Sequence, residues 1–203
     1  MTTFWERSLF YRRKICDNGD YVMLLKKIWR NGVAFTRGLL FTIMCSINKD
    51  GSIGKAFRVF KGATLDIYRK GSCIIGNNVR IDCNSNVVVT EGGKLSIGDN
   101  VGIGYFNRVI CREKITIGSN TILGPNVMIY DHDHIYSPET GVDRKEYLTS
   151  EISIGKNCWI GSNTVILRGT HIGNRCLIAA GCVIKGDIPD GTKVIQKRET
   201  FFK

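Results

Sequence analysis

From residue 154 onward an isoleucine returns at every sixth position: Ile154, Ile160, Ile166, Ile172, Ile178 and Ile184. Neither the 3.6-residue period of a helix nor the alternation of a flat strand produces that spacing. The residue after the marker is small in four of the six hexads (Gly155, Gly161, Gly173, Ala179), and the fifth position is compact at Cys158, Thr164, Thr170, Cys176 and Cys182. Upstream the phrase Ile-Gly-x-Asn recurs at 75–78, 97–100 and 117–120, and it returns at 154–157 and 160–163. A six-residue period means short strands separated by turns, and the Gly and Asn of each phrase best tolerate positive φ at a turn. The pattern predicts an all-β chain coiled as a parallel β-helix. If three hexads close one triangular coil, markers eighteen residues apart stack at one strand spacing of roughly 4.8 Å. Ile154 then lies over Ile172, and Cys158 over Cys176, the cysteines serving as small apolar filler of the interior.

The same spacing locates one large interruption. Ile117 to Ile154 is 37 residues where one coil uses eighteen, so about nineteen leave the helix, from about Asp131 to Glu151. A long, polar, Pro-containing excursion on a rigid scaffold is where function concentrates. Residues 1–50 lack the hexad and show helical spacing, with Val22, Leu25, Trp29 and Val33 on one side and Lys26, Lys27 and Arg30 beside them. The expected organisation is a helical N-terminal cap (1–50), a β-helix domain (51–190, with its excursion loop at 131–151) and a basic C-terminal tail (191–203).

Composition narrows the partners. The chain has 203 residues with 29 Lys plus Arg against 18 Asp plus Glu, a net charge of +11, and 43% hydrophobic residues, enough for a folded core. The first fifty residues carry nine basic and four acidic side chains. A basic amphipathic helix can lie on an anionic membrane surface, a reading compatible with a cap over the open end of the coils. The longest nearly uncharged apolar stretch, Gly38 to Ile47, is about half of what a spanning helix needs. Charges throughout the first thirty residues interrupt any signal-peptide core, which points to the cytoplasm. Eight Cys without a C-x-x-C pair read as reduced thiols with no structural zinc. No recognition-helix or zinc-finger pattern supports nucleic-acid binding.

Only three His occur, and His132 and His134 open the excursion, whereas His171 sits at an ordinary turn. Histidine is the usual general base near neutral pH. The hexads, the Asp131-x-x-His134 excursion and the run Asn157-Cys158-Trp159-Ile160-Gly161-Ser162 together resemble the hexapeptide-repeat O-acetyltransferases, which include galactoside and maltose acetyltransferases. The nearer likeness is to the acyltransferases of capsule, O-antigen and exopolysaccharide clusters, which share the Asp-His-Asp-His wording and a helical N-terminal extension. It covers about residues 75–190.

The resemblance implies a left-handed β-helix, a homotrimer, and acetyl-CoA bound as co-substrate in clefts between neighbouring subunits. It implies His134 as catalytic base, Glu146 as the carboxylate that orients it, and Asn107 as a hydrogen-bond partner of the acceptor sugar, with Asp131 and Trp159 on the substrate side. Trp159 lies beside the acetyl group, the backbone of Ser162 supplies an oxyanion donor, and Ala180 and Gly181 line the pantetheine arm. Lys185, Lys193, Lys197 and Arg198 are the cations available to the CoA phosphates, and the family's usual closing Gly-x-Pro-Ala segment is missing. The implied chemistry is direct transfer of acetyl to a sugar hydroxyl in surface-polysaccharide synthesis, with no metal. Acetylation of a simple galactoside or an antibiotic, and a non-enzymatic β-helical scaffold, are the competing readings. A three-His metal hydratase does not fit the separations among His132, His134 and His171.

Overall fold

A computed structural model describes the backbone of residues 4–48 and 51–197, and the side chains of 23–45 and 51–197. One helix, α1 (Phe4–Asn48), precedes a three-sided solenoid whose strands are parallel throughout. The first and second sheets have seven strands each and the third has six. The first coil supplies one strand to each sheet: Gly51–Ile53, Arg58–Val59 and Thr64–Ile67.

Ile154 pairs with Ile172 in the first sheet, and Trp159 with Leu177 in the second, which brings Cys158 over Cys176. The second sheet carries a column of Val59, Ile81, Ile103, Leu123, Ile160 and Ile178, each almost fully buried. At about 1.5–3 kcal/mol for each buried aliphatic side chain, such columns are what hold the coils closed. Burial pushes the Cys73 and Cys111 thiols up to about 12, so both stay protonated as apolar filler.

The coil length differs from the expected eighteen upstream of the excursion. Ile53, Ile75, Ile97 and Ile117 stack in one column, so those coils use 22, 22 and 20 residues. The additional residues extend strands of the first and third sheets to four residues, as in Ser72–Ile75 and Asn86–Val89, while the third corner between them is no longer than in the eighteen-residue coils.

The Gly and Asn of the Ile-Gly-x-Asn phrase do different work. Asn78, Asn100, Asn120, Asn157 and Asn163 all have φ between 55° and 61°, whereas the glycines of the phrase are not left-handed. Those glycines are required by the approach of the next coil: a Cβ on Gly155 would lie 2.5 Å from the carbonyl carbon of Gly173. Asn78, Asn100 and Asn120 also form a side-chain ladder, each amide nitrogen donating to the next amide oxygen at 2.9 and 3.0 Å. Phe106 (φ 59°) and Arg175 (φ 56°) hold the same conformation without an Asn side chain.

Helix α1 covers the first coil with small residues. Ala34 and Cys45 are buried, Phe41 packs on the core, and a Cβ on Gly38 would collide with the Phe57 carbonyl. The Arg37 guanidinium donates to the carbonyls of Phe60 and Ala63. The stripe expected to be the packed face is not: Leu25, Trp29 and Val33 are exposed, and the Val22 side chain lies outside the described residues. The contact needs a close backbone approach, which favours Ala and Gly over bulky side chains. At the other end Lys193–Val194 adds a strand to the second sheet, and the Gln196 amide bonds both backbone groups of Val183, so the solenoid continues past residue 190.

Candidate functional site

The excursion leaves at the third corner as a two-stranded antiparallel ribbon, His132–Ser137 with Gly141–Thr149, rather than an irregular loop. Its base is clamped by Asp131. The carboxylate is fully buried and accepts the backbone N–H of Arg112 (2.9 and 3.0 Å) and of Glu113 (2.8 Å), while the Asp131 carbonyl accepts from Ser150 (2.9 Å). Those bonds commit the carboxylate to its own chain, so its position is that of a structural anchor and not of a surface group facing an acceptor. Its remaining contact is His132 Nδ1 at 3.2 Å. Asp133 pairs with Arg168 of the next third corner (2.5 Å), a second tie between ribbon and solenoid.

His134 is exposed and pairs across the ribbon with Tyr147, their ring centroids 4.7 Å apart. Beneath that ring lies the Arg112 guanidinium, 3.4 Å from the Tyr147 centroid. Between Tyr136↔Val142 and His134↔Tyr147 the register shifts, so Asp143, Arg144, Lys145 and Glu146 form a bulge opposite Ile135. The Asp143 carboxylate closes it by accepting the N–H of Lys145 and Glu146, and these bonds hold its pKa below the ordinary carboxylate value. The Asp143 carbonyl faces His134 Nδ1 at 3.3 Å. A carbonyl only accepts, so this contact places the proton on Nδ1 and leaves the Nε2 lone pair available.

In the single chain Glu146 lies apart from the imidazole nitrogens. Among the described residues its carboxylate bonds neither imidazole nitrogen, because it lies in the bulge, and the Asp143 carbonyl takes the place beside Nδ1. Asn107 is buried in the solenoid. It has no exposed surface, its Oδ1 accepts from Val127 N–H at 2.6 Å, and its Nδ2 is buried without a partner. Its place in the solenoid is a corner-stabilising one.

The residues expected at the donor lie elsewhere. Trp159 stands on the outer face of the second sheet, exposed, and Ser162, Ala180 and Gly181 follow at the second corner, in successive coils. Among the described residues no backbone carbonyl accepts the Ser162 N–H. Lys197 is exposed just past the last strand of the second sheet. Lys185 sits at the third corner, and Arg198 lies outside the described residues. One copy of the chain therefore carries His134 and the donor-side residues on different corners. Arg112, Tyr147 and Asp143, which hold His134, carry no signature in a linear reading because three separate segments bring them together.

Residues 151–186 match the bacterial transferase hexapeptide (six repeats) family. A galactoside O-acetyltransferase of Lactococcus lactis is 30% identical over 141 residues, covering 66% of this chain and 67% of that protein. The chain belongs to the hexapeptide-repeat transferase family. Over a longer span this hexapeptide transferase is 27% identical to the putative lipopolysaccharide biosynthesis O-acetyl transferase WbbJ of Escherichia coli K12, across 86% of this chain and 83% of that one. Its fold is shared with a variant of AntD, an N-acyltransferase from Bacillus cereus solved with dTDP-4-amino-4,6-dideoxyglucose and coenzyme A (TM-score 0.61, 22% identity, 75% of this chain and 84% of that one). The family assignment makes the protein an acyltransferase.

Proposed function

We propose that this transferase moves the acetyl group of acetyl-CoA to a sugar hydroxyl, with His134 as general base and no acyl-enzyme. The observation that carries the reading is the Nδ1 contact to the Asp143 carbonyl, which leaves an exposed Nε2 lone pair on a ribbon anchored at its base. His134 Nε2 accepts the hydroxyl proton as the oxygen attacks the thioester carbonyl. The tetrahedral oxyanion accepts from the Ser162 N–H, and collapse releases the CoA sulfur, which regains the proton from the imidazolium. A carbonyl orients the base here where a carboxylate does so in many His-acid pairs.

Because the base and the donor-side corner lie apart on one copy, the working unit is an assembly, a homotrimer, in which the ribbon of one copy meets the second corner of its neighbour. Trp159 then flanks the acetyl group, Ala180 and Gly181 the pantetheine arm, and the exposed Lys197 the CoA phosphates. A sugar carried on a nucleotide or a lipid in the cytoplasm, destined for surface polysaccharide, is the acceptor, a reading supported by the likeness to WbbJ.

Two measurements test this. Acetyl-CoA at one hundred times its Kd raises stability by about 2.7 kcal/mol through mass action. His134→Ala lowers kcat by at least about a hundredfold with the assembly unchanged in size. Near-normal turnover in that variant overturns the assignment.

A further inference from the structure

Between Met23 and Cys45 the helix carries four charged residues, Lys26, Lys27, Arg30 and Arg37, and all are basic. At 100° per residue these four fall on the side that meets the first coil, along with Ala34, Gly38, Phe41 and Cys45. The opposite side presents Leu25, Ile28, Trp29, Leu39, Leu40 and Ile43, exposed by between 47% and 76%. That stripe runs for roughly 27 Å along the helix axis. Leu39 also borders an apolar groove of about 550 Å³ between the helix and the first coil, walled by Phe35, Ile53 and Phe57. An exposed apolar surface of this length marks an interaction site.

We propose that this outer face of α1 lies on the surface of an anionic lipid bilayer, with the solenoid standing above it. Two observations select that partner. First, the charge is of one sign: no acidic side chain pairs with Lys26 or Lys27 among the described residues, and both sit on the helix flanks and upper side, at the level of lipid headgroups when the stripe is immersed. Second, the helix covers the end of the coil stack, so its outer stripe points away from that end. The corners that the proposed active site brings together lie on the flanks of the solenoid, away from the stripe. No helix among the described residues is long and apolar enough to cross a membrane, so the contact is interfacial.

The test uses the full chain and vesicles of phosphatidylcholine with and without one third phosphatidylglycerol. The wild type sediments with the anionic vesicles, releases in high salt, and shows Trp29-dependent quenching by brominated lipid that a Trp29→Phe variant lacks. Lys26→Ala with Lys27→Ala lowers partitioning by about thirtyfold, on about 1 kcal/mol per surface cation. Leu25→Ser with Leu40→Ser and Ile43→Ser abolishes sedimentation while acetyl transfer to a small soluble acceptor continues, which separates this inference from the acyltransferase reading. Equal sedimentation of wild type and triple variant overturns the proposal, as does absence of binding to anionic vesicles. A halving of the solution assembly in the triple variant overturns it in favour of a second copy covering the stripe.

Discussion

Replacing Asp131 by alanine separates an anchor from a substrate contact. The carboxylate has no exposed surface and accepts two backbone N–H groups, Arg112 through both oxygens and Glu113 through one. Alanine leaves both part-buried donors without their acceptor, and at about 0.5–1.5 kcal/mol for each bond, with about 1–3 kcal/mol as the upper bound for a donor that water cannot reach, the variant loses about 1–4 kcal/mol. Asp131→Asn keeps the shape but offers one acceptor oxygen and turns an amide N–H toward a backbone N–H, for a loss of about 1.5–3 kcal/mol. For a chain of this size each kcal/mol moves Tm by about 2–4 °C. Urea and thermal unfolding followed by circular dichroism measure the loss, and hydrogen exchange at the Arg112 and Glu113 amides localises it. A raised KM for the acceptor with Tm unchanged refutes the anchoring argument and returns Asp131 to the substrate.

Gly155→Ala puts a Cβ 2.5 Å from the Gly173 carbonyl carbon, so the coils must part, and a loss of about 2 kcal/mol or more is expected in urea unfolding. Phe106→Asn relieves a left-handed conformation on a side chain that is exposed, and stabilises by about 1 kcal/mol in the same assay. Tyr147→Leu removes the ring between Arg112 and His134, and lowers kcat about tenfold with KM little changed, whereas Tyr147→Phe retains most activity.

The isoleucine hexads make the solenoid legible because each marker faces the same interior from one of its three sheets, and the columns they form tolerate little besides aliphatic or compact residues. Cys158 and Cys176 follow from the same rule. The upstream coils are harder to read, since their additional residues lengthen strands and place an extra alternating pair of inward residues, such as Val89 and Leu95, between the markers, which breaks the six-residue spacing. The ribbon is hidden for a related reason: His132, Asp133 and His134 in succession show no alternation of apolar and polar, because neither ribbon face is buried in a core. The packed face of α1 escapes a search for bulky apolar stripes because contact with Phe57 demands glycine at position 38. At the site, the pairing of an imidazole with a carboxylate is visible as a type of interaction, but the bulge exchanges Glu146 for the Asp143 carbonyl, and a bulge leaves no trace in residue spacing.

Access separates the two histidines of the excursion as candidates for the proposed base. His132 has the stronger electrostatic partner, the Asp131 carboxylate, but its side chain is 14% exposed and sits edge-on to the rings of Tyr130 and Tyr147. A proton acceptor that a hydroxyl cannot reach has no use for a favourable neighbour. His134 has the weaker partner and the open face. A two-stranded ribbon on its own is marginal in water, so an exposed base on one would wander over distances that proton transfer does not tolerate. The clamps beneath supply the rigidity: Asp131 on two amides, Asp133 on Arg168, and Arg112 against Tyr147. All three reach down to neighbouring third corners of the solenoid, so the excursion is held as a fixed bracket and not as a free ribbon.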